Sequence, residues 1–139
     1  THVSGTIVGE NYGIFAAKDT EIQLIDVRIF PPSGSTLSTT LINAYDAVIN
    51  YLLSNPGKKV IINMSLSGSN WSEKDKRLRI IHELGGIVFA AAGNGDTDAS
   101  SRSPASSNTS ITVGNIERDN TRRWSSNYGD TVDIWAPGT

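Results

Sequence analysis

The stretch Ile87-Val88-Phe89-Ala90-Ala91-Ala92 is apolar at every position. A strand with one wet face alternates apolar and polar residues. A run without alternation fits a strand of a sheet covered on both faces, the habit of parallel sheets. Gly93-Asn94-Gly95 follows directly, so the strand ends in residues that turn tightly and let a ligand approach the backbone. Upstream, Gly85-Gly86 closes a helix whose buried stripe is Leu78, Ile81 and Leu84. Ser72 is placed to cap that helix, with Glu73 and Asp75 in the first turn against the dipole. Glu73 and Arg77, like Asp75 and Arg79, stand four apart with the acid first. Earlier still, Lys59 to Leu66 (KVIINMSL) reads as a second strand.

Farther upstream, Leu41, Tyr45, Val48 and Leu52 recur at helical spacing, and Ile42, Ile49 and Leu53 widen the stripe. This helix is expected to start near Ser35 or Thr36, either of which can cap it, and to stop at Asn55-Pro56-Gly57. Glu21 to Phe30 (EIQLIDVRIF) reads as another strand, ended by Pro31-Pro32-Ser33-Gly34. Downstream, residues 95–108 read as loop, and 110–113 and 132–135 as weaker strands. No repeat and no interdomain linker is visible. Strands joined by long helical crossovers give an α/β fold with a mainly parallel sheet and helices on both faces. Sites in such sheets form at the carboxyl ends of the strands. Two segments stand out there, Asn63-Met64-Ser65-Leu66-Ser67-Gly68 and Ala91-Ala92-Gly93-Asn94-Gly95.

Composition narrows the function. Twelve Lys+Arg against fourteen Asp+Glu leave a net charge of −2, too little to drive the chain onto nucleic acid or an acidic membrane. With 37% hydrophobic and 19% charged residues it is too apolar and too patterned for disorder. The absence of cysteine excludes disulfides, thiolate metal sites and a Cys nucleophile. His2 and His82 lie too far apart in sequence to suggest a zinc site. No apolar run is long enough to span a bilayer and no signal peptide is present. Neither Gly-x-Gly-x-x-Gly after a strand nor a Gly-x-x-x-x-Gly-Lys-Ser/Thr loop appears, which argues against nucleotide binding.

Taken in order, the segments resemble the subtilisin-like serine proteases, the subtilases. Thr1-His2-Val3-Ser4-Gly5-Thr6 is similar to the tail of the family's His-Gly-Thr-His-Val-Ala-Gly-Thr signature. Val60-Ile61-Ile62-Asn63-Met64-Ser65-Leu66 is similar to the strand beside bound substrate, and Ala91-Ala92-Gly93-Asn94 to the oxyanion-hole segment. Ser103-Pro104-Ala105, Ile111-Thr112-Val113-Gly114, Ser126-Asn127-Tyr128-Gly129 and Val132-Asp133-Ile134-Trp135-Ala136-Pro137-Gly138-Thr139 follow in family order. The resemblance runs through the whole chain. It implies that residues 1–139 are the central part of one catalytic domain, cut inside two motifs. The catalytic His and Asp of the family would precede Thr1 and the nucleophilic Ser would follow Thr139, so His2 matches the second, non-catalytic His.

What remains by resemblance is Asn94, whose amide in the family donates to the oxyanion. Such a donor must be neutral and fixed before charge develops. Taken locally, an Asn between two glycines equally suits a left-handed turn; the order of motifs favours the donor role. Ser65, Leu66, Ser67 and Gly68 are implied to pair with an extended substrate and form one pocket wall. Ala91, Ala92 and Gly93 would form the other, and Gly34 and Ser35 match a further substrate segment only loosely. His82, between Arg79 and Glu83, reads as a solvated surface histidine, and Asp26 as a structural carboxylate in its strand. Asp96, Asp98, Asp119 and Asp130 are scattered without calcium-ligand spacing, and Gly9-Glu10-Asn11-Tyr12-Gly13 is short for the family's calcium loop. Calcium therefore stays open for a complete protein, with no metal site identifiable here. Arg122-Arg123-Trp124 reads as a solvated turn. The resemblance implies a serine endopeptidase acting on extended polypeptides, with no organic cofactor, no nucleic acid and no membrane partner, and secreted as most of the family is. The alternative is a pseudoprotease that binds peptides along residues 65–68 without cleaving them.

Overall fold

A computed structural model describes residues 2–11, 13–14, 22–32 and 34–138. Thr1, Tyr12, Glu21, Ser33 and Thr139, all quoted above, lie outside the described residues. The chain divides into two compact units, Thr1–Gly34 and Ser35–Thr139.

The first unit contains helix α1, His2–Val8. After it the chain folds back, with the Ile14 amide donating to the Thr6 carbonyl at 3.0 Å. Residues 22–30 do not form the expected strand: they carry no regular structure, and Ile22, Leu24, Ile25, Val27 and Phe30 are all more than 40% exposed. An extended run becomes a strand only by joining a ladder, and no strand exists among the described residues of this unit. Asp26 is accordingly an exposed carboxylate outside any strand.

The second unit contains α2 (Ser38–Ser54), β1 (Ile61–Met64), β2 (Gly68–Ser69), α3 (Ser72–Glu83) and β3 (Ile87–Ala91). A 3-10 turn at Ala99–Ser101, β4 (Arg102–Ser103), β5 (Ser110–Ile116) and β6 (Ile134–Pro137) complete it. Strands β1, β3, β5 and β6 pair in that order, each parallel to its neighbour, so the fold is α/β with a mainly parallel sheet. Cα partners Ile62↔Val88↔Ser110 and Met64↔Ala90↔Thr112 put these residues on one face, which is buried: Val88 and Ala90 at 1%, Thr112 at 0%. Gly86 leaves room for Ile81 of α3 to sit against Ile62. On the alternate face Ile61, Ile87 and Ile134 are more than 40% exposed, while Phe89, Ile111 and Val113 are half-buried. The unbroken apolar stretch thus marks a strand with two apolar faces, of which this unit buries one fully and the other in part.

The helices depart from expectation at their starts. Helix α2 begins at Ser38 behind an extended Leu37, and no side chain caps it. The Thr36 hydroxyl is instead buried without a partner. Ser72 is the first helical residue of α3, with Trp71 in the cap position. Leu78 and Ile81 are fully buried as expected, but Leu84 is 37% exposed and Lys74 takes the third buried position. The Lys74 ammonium donates to the Ser69 carbonyl at 3.0 Å. Glu73 and Arg77 pair at 3.2 Å as expected. Arg77 also reaches across to Asp46 of α2 at 2.7 Å, while Asp75 turns inward.

Candidate functional site

Strands β1 and β3 run side by side in the same direction, with Met64 opposite Ala90, so residues 65–68 and 92–95 leave the same edge of the sheet. Their proximity is direct: a Cβ built on Gly93 would lie 3.6 Å from Ser67 Oγ. Ser65 and Ser67 are exposed, and Leu66 and Gly68 are half-buried. Ser65 Oγ takes a hydrogen bond from Asn63 Nδ2 at 2.9 Å. Gly68 enters the two-residue ladder of β2 with β4, where it faces Ser103. Its β4 half lies within residues 95–108, the segment expected to be plain loop. Strands of two residues carry no periodicity by which sequence could announce them.

On the β3 side, Ala91 and Gly93 are half-buried and Ala92 is buried. Ala92, Ala99 and Ala105 form a small apolar cluster with Val132 packed against it, giving the loop a floor. Gly93 has φ +107 and Asp96 φ +49, left-handed conformations that let the chain turn sharply on leaving the sheet. Asn94, between them, is exposed, and its side-chain amide has no partner among the described residues.

The segment 125–128 lies against this loop. Backbone bonds run from Asn127 N to Gly93 O at 2.9 Å, from Asp96 N to Ser125 O at 3.0 Å and from Tyr128 N to Thr97 O at 3.1 Å. The Asn127 side chain, only 2% exposed, accepts from Gly95 N at 2.8 Å and Thr97 N at 3.2 Å and donates to Ala92 O at 2.9 Å. Arg122 donates to Asp96 at 2.8 Å and to the Ser126 carbonyl, and stacks over the Tyr128 ring. Sequence reading places Asn127 only as a member of a motif. Its signal is the pairing of a neutral amide with a segment some thirty residues away, which one-dimensional spacing does not show.

The loop carboxylates have local duties. Asp96 pairs with Arg122. Asp98 accepts from Ser100 at the start of the 3-10 turn, and hydrogen bonds from Ser100 hold its carboxyl below the usual carboxylate range. Asp119 accepts from Thr121, with the same effect. No group of three or more His, Asp or Glu able to hold a metal ion occurs among the described residues. His82 is exposed in the last turn of α3, and His2 is exposed in α1. Trp124 is 74% exposed beside Arg123, which pairs with Glu117. No helix among the described residues is long and apolar enough to cross a membrane.

"Subtilisin-like protease 2" of Trichophyton verrucosum is 38% identical over 139 residues, covering 99% of this chain and 32% of the relative. "Subtilisin-like proteinase Mp1" of Magnaporthiopsis poae is 39% identical over 142 residues, covering 99% of this chain and 34% of the relative. The chain thus spans about one third of the length of the curated relatives it matches. The crystal structure of a cold adapted subtilisin-like serine proteinase superposes with a TM-score of 0.87 at 32% identity, covering 99% of this chain and 47% of the other. The model of the subtilase family matches residues 1–139, from one end of the chain to the other, and the chain belongs to that family.

Proposed function

We propose that this chain supplies the oxyanion donor and the substrate-binding edge of a serine endopeptidase. In that reading a Ser nucleophile, a His base and an orienting Asp come from parts of the full-length gene product outside these residues. An extended polypeptide lies along residues 65–68, with Ala91, Ala92 and Gly93 as the opposite wall of the pocket. As the nucleophile attacks, the carbonyl oxygen becomes negative and the Asn94 amide donates to it. The His returns the proton to the leaving amine, and water then hydrolyses the acyl-enzyme. The chemistry needs no organic cofactor. A secreted site of action belongs to the same reading, by resemblance to the subtilases.

The observation that carries this reading is the exposed Asn94 on a braced loop beside Ser67, its amide without a partner among the described residues. A neutral donor fixed before charge develops is what stabilises a tetrahedral intermediate, and it acts in the transition state more than in the ground state. Asn94→Ala in the full-length gene product should therefore lower kcat by about 10²–10³-fold, or ~2.7–4 kcal/mol, with KM little altered; this size is carried over from subtilisin, a member of the same family. Asn94→Asp should be at least as harmful, because a carboxylate repels the oxyanion. Steady-state kinetics on a peptide substrate, with thermal unfolding alongside, checks both. A folded Asn94→Ala protein with near-normal kcat overturns the donor role.

A further inference from the structure

Asn94 is flanked by two glycines and belongs to no helix or strand, so nothing in its own segment fixes the direction of its amide. What holds it comes from elsewhere in the unit. One residue, Asn127, grips the chain on both sides of Asn94: its backbone N–H donates to Gly93 O, and its side-chain Oδ1 accepts from Gly95 N. The same Oδ1 also accepts from Thr97 N, and Nδ2 donates to Ala92 O.

The job demands this side chain. It needs an acceptor and a donor on one short planar end, because loop amides converge on one side and a strand-end carbonyl on the other. A carboxylate offers no donor and a hydroxyl is too small to span both. The group is also buried, where a neutral amide with every partner satisfied is stable and an ion is costly. A Cβ built on Gly93 would lie 2.6 Å from Asn127 Nδ2, so the glycine is what allows the amide to come this close. We infer that Asn127 is the positioning residue of the oxyanion donor: it touches no reacting atom and acts by holding the backbone on both sides of Asn94. This rests on the proposed role of Asn94.

The test is a double-mutant cycle in the full-length gene product. Asn127→Ala should lower kcat by up to about 10²-fold, the scale of a small misplacement in an active site, and leave KM nearly unchanged. In an Asn94→Ala background the same substitution should lower kcat no further, since residues acting as one unit are non-additive. Asn127→Ser leaves a small neutral hydroxyl that serves one side of the loop and buries no ion. Its loss of kcat should be smaller than that of Asn127→Ala, and it carries the cycle if the alanine variant does not fold. Equal losses of kcat in both backgrounds, a rise in KM alone, or normal kcat with a lowered unfolding temperature would each overturn the positioning role while leaving Asn94's standing. Wild-type kcat for Asn94→Ala would overturn both.

Discussion

Gly93 shows how narrowly one position can be constrained. Its φ of +107 disfavours any side chain, and the space where a Cβ would go is taken by Asn127 Nδ2. Gly93→Ala should cost about 1–3 kcal/mol through backbone strain and push the Asn127 amide off the Ala92 carbonyl. The expected outcome is a lower denaturation midpoint together with a fall in kcat; a variant as stable and active as the parent would mean the loop relaxes freely. At this scale the sequence speaks unevenly. Asn94 stands out between its glycines directly after an apolar strand. Asn127 does not, because the atoms it satisfies are 30 to 35 positions away.

At the scale of elements, α2 and α3 meet around Tyr45. Its ring is buried, its hydroxyl has no partner, and Asp75 beside it also carries a buried oxygen without one. Burial, then the Asp75 charge, pushes the Tyr45 phenol up to about 12. A phenol whose pKa is raised on folding binds its proton more tightly in the native state. The associated stability is complete below about pH 10 and is lost as pH climbs through 12. Tyr45→Phe should be near neutral or mildly stabilising at pH 7, since it removes an unsatisfied hydroxyl. It should also flatten the alkaline fall in stability between about pH 10 and 12, which urea unfolding across that range would show. An unchanged alkaline limb would place the titration on another group. The helices and the strands β1, β3, β5 and β6 were legible because periodicity and uninterrupted apolar runs are properties of neighbours in sequence. Residues 22–30 are comparably apolar, and no ladder partner occurs among the described residues of their unit. Being a strand is a property of pairs, which composition alone does not carry.

At the scale of the molecule, the chain spans about a third of its curated relatives. On the proposed reading the 139 residues alone should hydrolyse no peptide above background, because a hole without nucleophile and base gives only weak residual rate enhancement. A fluorogenic peptide assay on the repurified chain checks this. Turnover that persists through repurification and in His2→Ala would overturn the assignment of the triad to other residues, and loss of turnover in His2→Ala with unfolding unchanged would give His2 a catalytic part. The clasp between Gly95 and Asn127 also has a meaning in time. A ribosome releases the chain from its amino end, so Asn94 leaves it ahead of the residue that braces it. At roughly 5–20 residues per second, the 32 positions between Gly95 and Asn127 are a delay on the order of a few seconds. Through that interval Asn127 is not there to hold Gly93 and Gly95, and the clasp closes only when the downstream segment arrives.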